Sequence, residues 1–128
     1  MNRTKLSGWL EAYRRAWQHR DPEAAAGLYA ENATYQETPF SPPMHGREEI
    51  LNYWRNVART QEDIHVECEI IALAGAHCFA HWRASFVRLP MRIRLELDGI
   101  FLLTFDAGNR CTSLREWWHR REIPAAQA

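Results

Sequence analysis

Ala33-Thr34-Tyr35-Gln36-Glu37-Thr38-Pro39-Phe40-Ser41-Pro42-Pro43-Met44-His45-Gly46-Arg47-Glu48-Glu49-Ile50 is the stretch where the chain changes local character three times. Ala33 to Thr38 reads as a short strand. Pro39, Pro42 and Pro43 then force an extended loop, because proline fixes its own φ and keeps its predecessor out of the helical region. Gly46 closes that loop. Beyond it Ile50, Leu51, Trp54, Val57 and Ala58 recur at helical spacing, which predicts a helix over 47–59.

Upstream, Leu6, Trp9, Leu10, Tyr13, Ala16 and Trp17 form one apolar stripe among Arg, Lys and Glu, predicting an amphipathic helix over 3–19. Asp21-Pro22 reads as an N-cap followed by proline at the first helical position, opening a short helix through about Tyr29. Downstream the period changes. Four segments, about 63–74, 77–89, 92–105 and 110–121, are separated by Ala74-Gly75-Ala76, Leu89-Pro90-Met91 and Asp106-Ala107-Gly108-Asn109, which is turn chemistry between antiparallel strands. The resulting order, ααβαββββ, is α+β: three N-terminal helices packed on a curved antiparallel sheet.

With 128 residues, of which 46% are hydrophobic and six are Trp, the chain has the size and content of a single domain spanning 1–128 with one core. Sixteen Lys and Arg balance sixteen Asp and Glu, so no sequence-wide field draws in nucleic acid or an anionic membrane. Met1 to Leu10 lacks the apolar core of a secretory signal, so a cytoplasmic location is expected. The longest apolar runs fall short of the roughly 20 residues a membrane span requires. Cys68, Cys78 and Cys111 are odd in number and lack C-x-x-C spacing, as expected of reduced thiols in a core.

Alternation assigns the faces of the strands. Ile93, Leu95, Leu97, Phe101, Leu103 and Phe105 share one face, and Cys78, Ala80, Trp82, Ala84 and Phe86 form the matching interior set opposite His77, His81 and Arg83. Leu114, Glu116 and Trp118 fall together on one face of the last strand. The opposite, outer face carries Ile100, Leu102 and Trp117 and is expected to meet a second copy of the chain in a homodimer.

The 33–50 stretch resembles the strand–proline loop–glycine–helix signature of the nuclear transport factor 2-like superfamily, in its SnoaL-like and ketosteroid-isomerase-like branches. Phe105 to Arg110 and Ser113 to Trp118 resemble that family's last hairpin. The resemblance spans nearly the whole chain and implies a cone-shaped α+β barrel with a deep apolar pocket. It places Tyr13 at the tyrosine that donates to a developing enolate oxygen and Glu37 at the carboxylate that moves the proton. Two positions depart from the pattern: Phe101 stands where the family has a second, protonated Asp donor, and Trp54 where it has a supporting tyrosine.

Proton abstraction beside a carbonyl needs a carboxylate in an apolar pocket, where desolvation raises its pKa. Glu37 fits that requirement, with a solvated strand-end glutamate as the alternative. Tyr13 fits a carbonyl-polarising donor or, equally, an aromatic member of the helix stripe. Trp17, Trp54, Trp82, Phe86, Phe101, Glu116 and Trp118 are the expected substrate-binding wall, although Glu116 also fits a structural ion pair with Arg115 or Arg120. His45, in the proline loop, fits either a gate or a surface residue. No metal-ligand spacing is present, since His77 and His81 on one strand face would stand about 13 Å apart. Neither a phosphate-cradling loop nor a dinucleotide fingerprint occurs, so no cofactor is expected.

Two functions follow from these residues. The first is a SnoaL/ketosteroid-isomerase-like protein that binds a small hydrophobic carbonyl or polycyclic ligand and performs cofactor-independent proton transfer as an isomerase, cyclase or lyase. The second is a non-catalytic small-molecule-binding or dimerisation module of the same fold. An open cavity of about 300 Å³ or more reaching Glu37 is the mark of the first, and a filled cone the mark of the second.

Overall fold

The computed structural model describes residues 1–124. Helix α1 (Arg3–Gln18) starts where the Asn2 side chain accepts from the Lys5 N–H at 2.9 Å, and it buries Leu6, Trp9, Leu10, Tyr13, Ala16 and Trp17 along one stripe. Asp21 caps α2 (Pro22–Ala26) by accepting from the Ala24 N–H. That helix stops three residues before Tyr29, where a strand begins instead: β1 spans Tyr29–Gln36, and Tyr29 is already paired with Cys111. The proline loop leads into a two-residue strand, β2 (Met44–His45), which the sequence reading did not anticipate. Gly46 turns the chain at φ +85°, a conformation that side chains rarely adopt, and opens α3 (Gly46–Thr60).

The chain passes from α3 straight into β3 (Gln61–Ala74), followed by β4 (His77–Arg88), β5 (Ile93–Phe105) and β6 (Cys111–Ile123). They form one six-stranded sheet in the order β2-β1-β6-β5-β4-β3. Two expectations are corrected. The sheet is open, with β2 and β3 at its edges, and does not close into a barrel. It is also not wholly antiparallel, because β1 runs parallel to β6. A local hairpin cannot make that pairing: β1 is separated from β6 by α3 and the three-strand meander, and it joins the free side of the last strand.

The alternation read for β4, β5 and β6 holds. Cys78, Ala80, Trp82, Ala84 and Phe86 meet Leu95, Leu97, Phe101 and Leu103 and the stripes of α1 and α3 in one core. Fully burying a large apolar side chain contributes about 1.5–3 kcal/mol, so this aromatic-rich face supplies most of the drive for packing the helices onto the sheet. Trp82 stacks on Phe101 at 5.4 Å, and room for it comes from Gly99. A β carbon at 99 would stand 2.7 Å from Trp118 Cβ and 2.8 Å from the Trp82 ring. The three thiols are free. Cys78 and Cys111 are buried, and burial pushes the partly buried Cys68 thiol up to about 12.

Candidate active site

Between α1, α3 and the inner face of the sheet lies a cavity of about 50 Å³. Tyr13, Trp17, Tyr35, Glu37, Tyr53, Trp54, Trp82, Phe86, Glu116 and Trp118 all reach it. The drug-sized pocket of about 300 Å³ expected from the resemblance is therefore not formed, and aromatic side chains take most of that space. Tyr13 sits edge-on to Trp54 at 5.6 Å and to Phe101 at 5.3 Å. Phe101 does not reach the cavity: it lies behind the wall, beneath Trp82. His45 is also outside it, exposed at the start of α3, where its backbone N–H donates to Glu49.

Within this mostly apolar lining a few polar groups converge. Glu37 follows the end of β1, half-buried, and its backbone carbonyl accepts the Trp118 indole N–H at 2.8 Å. Burial raises the Glu37 pKa, and the Tyr53 hydroxyl and the Arg88 charge offset this only in part. A carboxylate raised in this way is a better base at neutral pH than a solvated one. The solvated strand-end alternative is thus not what the fold produces.

Glu116 overturns an expectation. Alternation puts it on the inner face of β6, but neither Arg115 nor Arg120 pairs with it. Arg115 lies over the Trp117 ring at 4.8 Å and donates to Gln36 on the outside. Glu116 is 5% exposed and accepts one hydrogen bond, from the Tyr35 hydroxyl at 3.2 Å. Burial, followed by the nearby Glu37 charge, pushes its pKa well above the carboxylate range, which favours the neutral acid. Burial also raises Tyr13, with the Glu116 charge next in effect, so its hydroxyl stays protonated and able to donate. Among the described residues Tyr13 forms no side-chain hydrogen bond. In the β5–β6 register Glu116 stands directly opposite Phe101. A buried carboxyl group thus stands one strand over from Phe101.

Three residues with a part in the cavity were not singled out from the sequence. Arg88 shares the parity of Trp82, Ala84 and Phe86, so it was legible as the last inward residue of β4. Its Nε is buried without a partner, and its guanidinium lies 5.3 Å from the Phe86 ring. Tyr53 is flanked by the helix stripe at Ile50, Trp54 and Val57, and its ring lies 5.3 Å from that of Tyr35. Gln61 is buried and accepts the Trp17 indole N–H at 2.8 Å, a tertiary pairing with no local signature. No cluster of three or more His, Cys, Asp or Glu that would hold a metal occurs among the described residues. His81 instead lies on the outer face between Glu69 and Asp98, at 2.9 and 2.8 Å. No helix of the described residues is long and apolar enough to cross a membrane.

Helices over one face of an open, curved sheet, with acids and tyrosines gathered in the space between, define a small α+β domain of the cone-shaped type. The chain belongs to the SnoaL-like domain family, whose model matches residues 10–113, within the nuclear transport factor 2-like superfamily. No curated protein sequence matches it significantly. Among solved structures it is similar to the epoxide hydrolase/cyclase-like enzyme SalBIII of pyran ring formation in the polyether salinomycin. The TM-score is 0.83 and the identity 18%, over 95% of this chain and 98% of that one. It is also similar to a protein of ketosteroid isomerase-like fold from Catenulispora acidiphila in complex with trimethylamine. There the TM-score is 0.74 and the identity 23%, over 85% of this chain and 83% of that one. At such identities the likeness is one of fold, and a fold of this kind hosts several chemistries.

Proposed function

We propose that the protein is a cofactor-independent proton-transfer enzyme acting on a small carbonyl compound. Glu37 takes the proton from the carbon beside the carbonyl, while Tyr13 and the neutral Glu116 donate hydrogen bonds to the carbonyl oxygen. The observation that carries this reading is the pair of carboxyl groups lining one cavity, the deeper one buried with a single hydrogen bond from Tyr35, where burial raises the pKa of both. Two titratable groups pushed apart by their surroundings are the usual arrangement of an acid and a base working at one pH. A buried carboxyl with a single hydrogen bond destabilises a fold relative to an apolar residue, so packing gives no account of Glu116. The cavity of about 50 Å³ is too small for a polycyclic ligand, and as a filled cone it counts toward the second reading below.

The test is proton–deuterium exchange, followed by NMR, at the carbons beside the carbonyl in a panel of small cyclic ketones. Wild type is expected to catalyse exchange, and Glu37→Gln to lose it. Exchange that survives Glu37→Gln removes that residue from the role of base.

A second reading, a small-molecule-binding module without catalysis, is favoured by the aromatic filling of the cone. The trimethylamine held by the Catenulispora acidiphila relative suggests its ligand class, a small organic cation over aromatic faces. Saturation by trimethylammonium with no exchange on any ketone would favour it. Under either reading, a second copy of the chain is proposed to meet the outer face at Ile100, Leu102 and Trp117, which light scattering would show as a doubled mass.

A further inference from the structure

Of the ionisable groups that line the cavity, Arg88 has no part in the proton transfer. It is the last residue of β4, and it reaches the same space as Tyr13, Glu37 and Glu116. Its backbone is pinned on both sides: the Arg88 carbonyl accepts the Arg92 N–H at 2.7 Å, and the Leu89 N–H donates to the Thr60 carbonyl at 2.8 Å. The Phe86 ring, 5.3 Å from the guanidinium carbon, attracts the cation from within the core. The arginines on the outer side of the same sheet are spoken for, since Arg83 pairs with Asp98, Arg94 with Asp63 and Arg121 with Glu96. Arg88 pairs with no acid among the described residues, and its Nε is buried without a hydrogen-bond partner. Trp54 and Trp82, in the same cavity wall, each bury an indole N–H that is also unpartnered.

A buried donor without an acceptor destabilises a fold, and a cation in an aromatic wall does so more, so packing gives no account of an arginine at this position. We propose that Arg88 receives a carboxylate of the substrate, and that the carbonyl compound is therefore a small oxo acid. The inference rests on the proposed proton transfer for the carbonyl half of that molecule, whereas the anion site stands on Arg88 itself. A guanidinium presents a fork of N–H donors and no acceptor, and it matches a carboxylate through two parallel hydrogen bonds. A neutral ketone offers a single oxygen to the unpartnered donors of the wall, and an oxo acid offers three. The charged end also fixes which way round the molecule sits, so that one carbon is held at the base. With about 50 Å³ free, the acid is among the smallest of its class. A small organic cation, the ligand of the second reading, is repelled by the same guanidinium.

The test pairs pyruvate, the smallest 2-oxo acid with hydrogens on the carbon beside its ketone, with butane-2,3-dione, in which a neutral acetyl group replaces the carboxylate. Binding is read first, from the Arg88 Nε–H cross-peak in a proton–nitrogen correlation spectrum, assigned by its absence in Arg88→Lys. Pyruvate is expected to shift that peak further than the dione does at equal concentration. A peak that pyruvate leaves in place, even in large excess, overturns the anion site. Methyl deuterium exchange on the two compounds is then compared as kcat/KM. Wild type is expected to favour pyruvate, and Arg88→Gln to reduce that preference by about 10–10²-fold, the contribution of a hydrogen bond between charged groups. Arg88→Lys keeps the charge without the fork and should fall between the two. Thermal melts confirm that both variants fold. An equal loss on both compounds would make Arg88 a support of the wall and overturn the proposal. Exchange on ketones with no preference for pyruvate would leave the proposed function standing without the anion site. A shifted Arg88 peak with no exchange on any compound would support the anion site and retire the catalytic reading.

Discussion

On the outer face of the sheet Glu96 meets Arg121 at 2.7 Å, and Asp98 meets His81 at 2.8 Å and Arg83 at 3.3 Å. On the inner face, one strand away, Glu116 has a tyrosine and, among the described residues, no cation. Outside, the pKa of Asp98 is lowered, first by its bond to His81. Inside, those of Glu37 and Glu116 are raised by desolvation. Residue type therefore says little about charge here, and the side of the sheet says nearly everything. Water and paired cations lower the cost of a charge on one face, whereas on the other aromatic rings withhold water and Arg88 offsets the burial of Glu37 only in part.

The largest expected break of this contrast is in activity. Glu37→Gln removes the ionisable inner carboxyl at the cavity while keeping its shape, and is expected to reduce the deuterium exchange rate by about 10²–10⁴-fold. Glu96→Gln on the outside should leave that rate within twofold, so a comparable loss in both variants would erase the distinction between the faces.

Next comes packing. Gly99→Ala forces a methyl group against Trp118 and Trp82 at under 3 Å and is expected to destabilise by about 1–3 kcal/mol in urea unfolding, as over-packing of a filled core does. A change below a few tenths would show that the inner wall yields.

Glu116→Gln sharpens the contrast through pH. The folded state holds a proton on Glu116 well above the pH at which the unfolded carboxyl, near about 4.3, releases it. The folded state therefore binds more protons over that window, and wild-type stability falls as pH rises through it. Glu116→Gln should remove this slope. The variant should melt above wild type near pH 8, and the gap should close below about pH 4, where both states are neutral. A parallel pair of melting curves would refute the neutral acid.

The smallest effect belongs to the outer pairs. Arg121→Gln is expected to cost less than about 1 kcal/mol, since both partners are solvated. For His81 the sign is opposite to that of Glu116→Gln in origin but similar in direction. Bonds to Glu69 and Asp98 raise its pKa, so its stabilisation is present below about pH 6.5 and lost as pH rises through the folded value. His81→Gln should therefore matter in melts at pH 5 and vanish by pH 9.

Much of this was legible in the residue pattern, because burial on one face leaves a period. The stripe of α1, the inward set of β4 and the placing of Glu116 beside Leu114 and Trp118 all came from spacing. What escaped was made by partners far apart in sequence. The parallel pairing of β1 with β6 has no periodic signature, and neither does the Gln61–Trp17 bond. Arg120 and Arg115 looked like natural partners for Glu116 because they are close in sequence, yet Arg115, its neighbour, points to the opposite face, and Arg120, on the same face, stands four residues and about 13 Å further along the strand. Cavity size was the other failure: six Trp announce a large aromatic volume, but whether it lines a space or fills one depends on rotamers and contacts that spacing does not encode.

The parallel seam between β1 and β6 also sets when the site comes into being. The hairpins β3–β4, β4–β5 and β5–β6 zip between neighbours, whereas Tyr35 reaches Glu116, and Glu37 reaches Trp118, across 81 residues of chain. Closing so long a loop is entropically costly and is favoured only after the intervening strands have shortened the path. The cavity is thus among the last parts of the molecule to assemble. Partly folded chains carry the cavity's residues before Tyr35 and Glu116, or Glu37 and Trp118, have met.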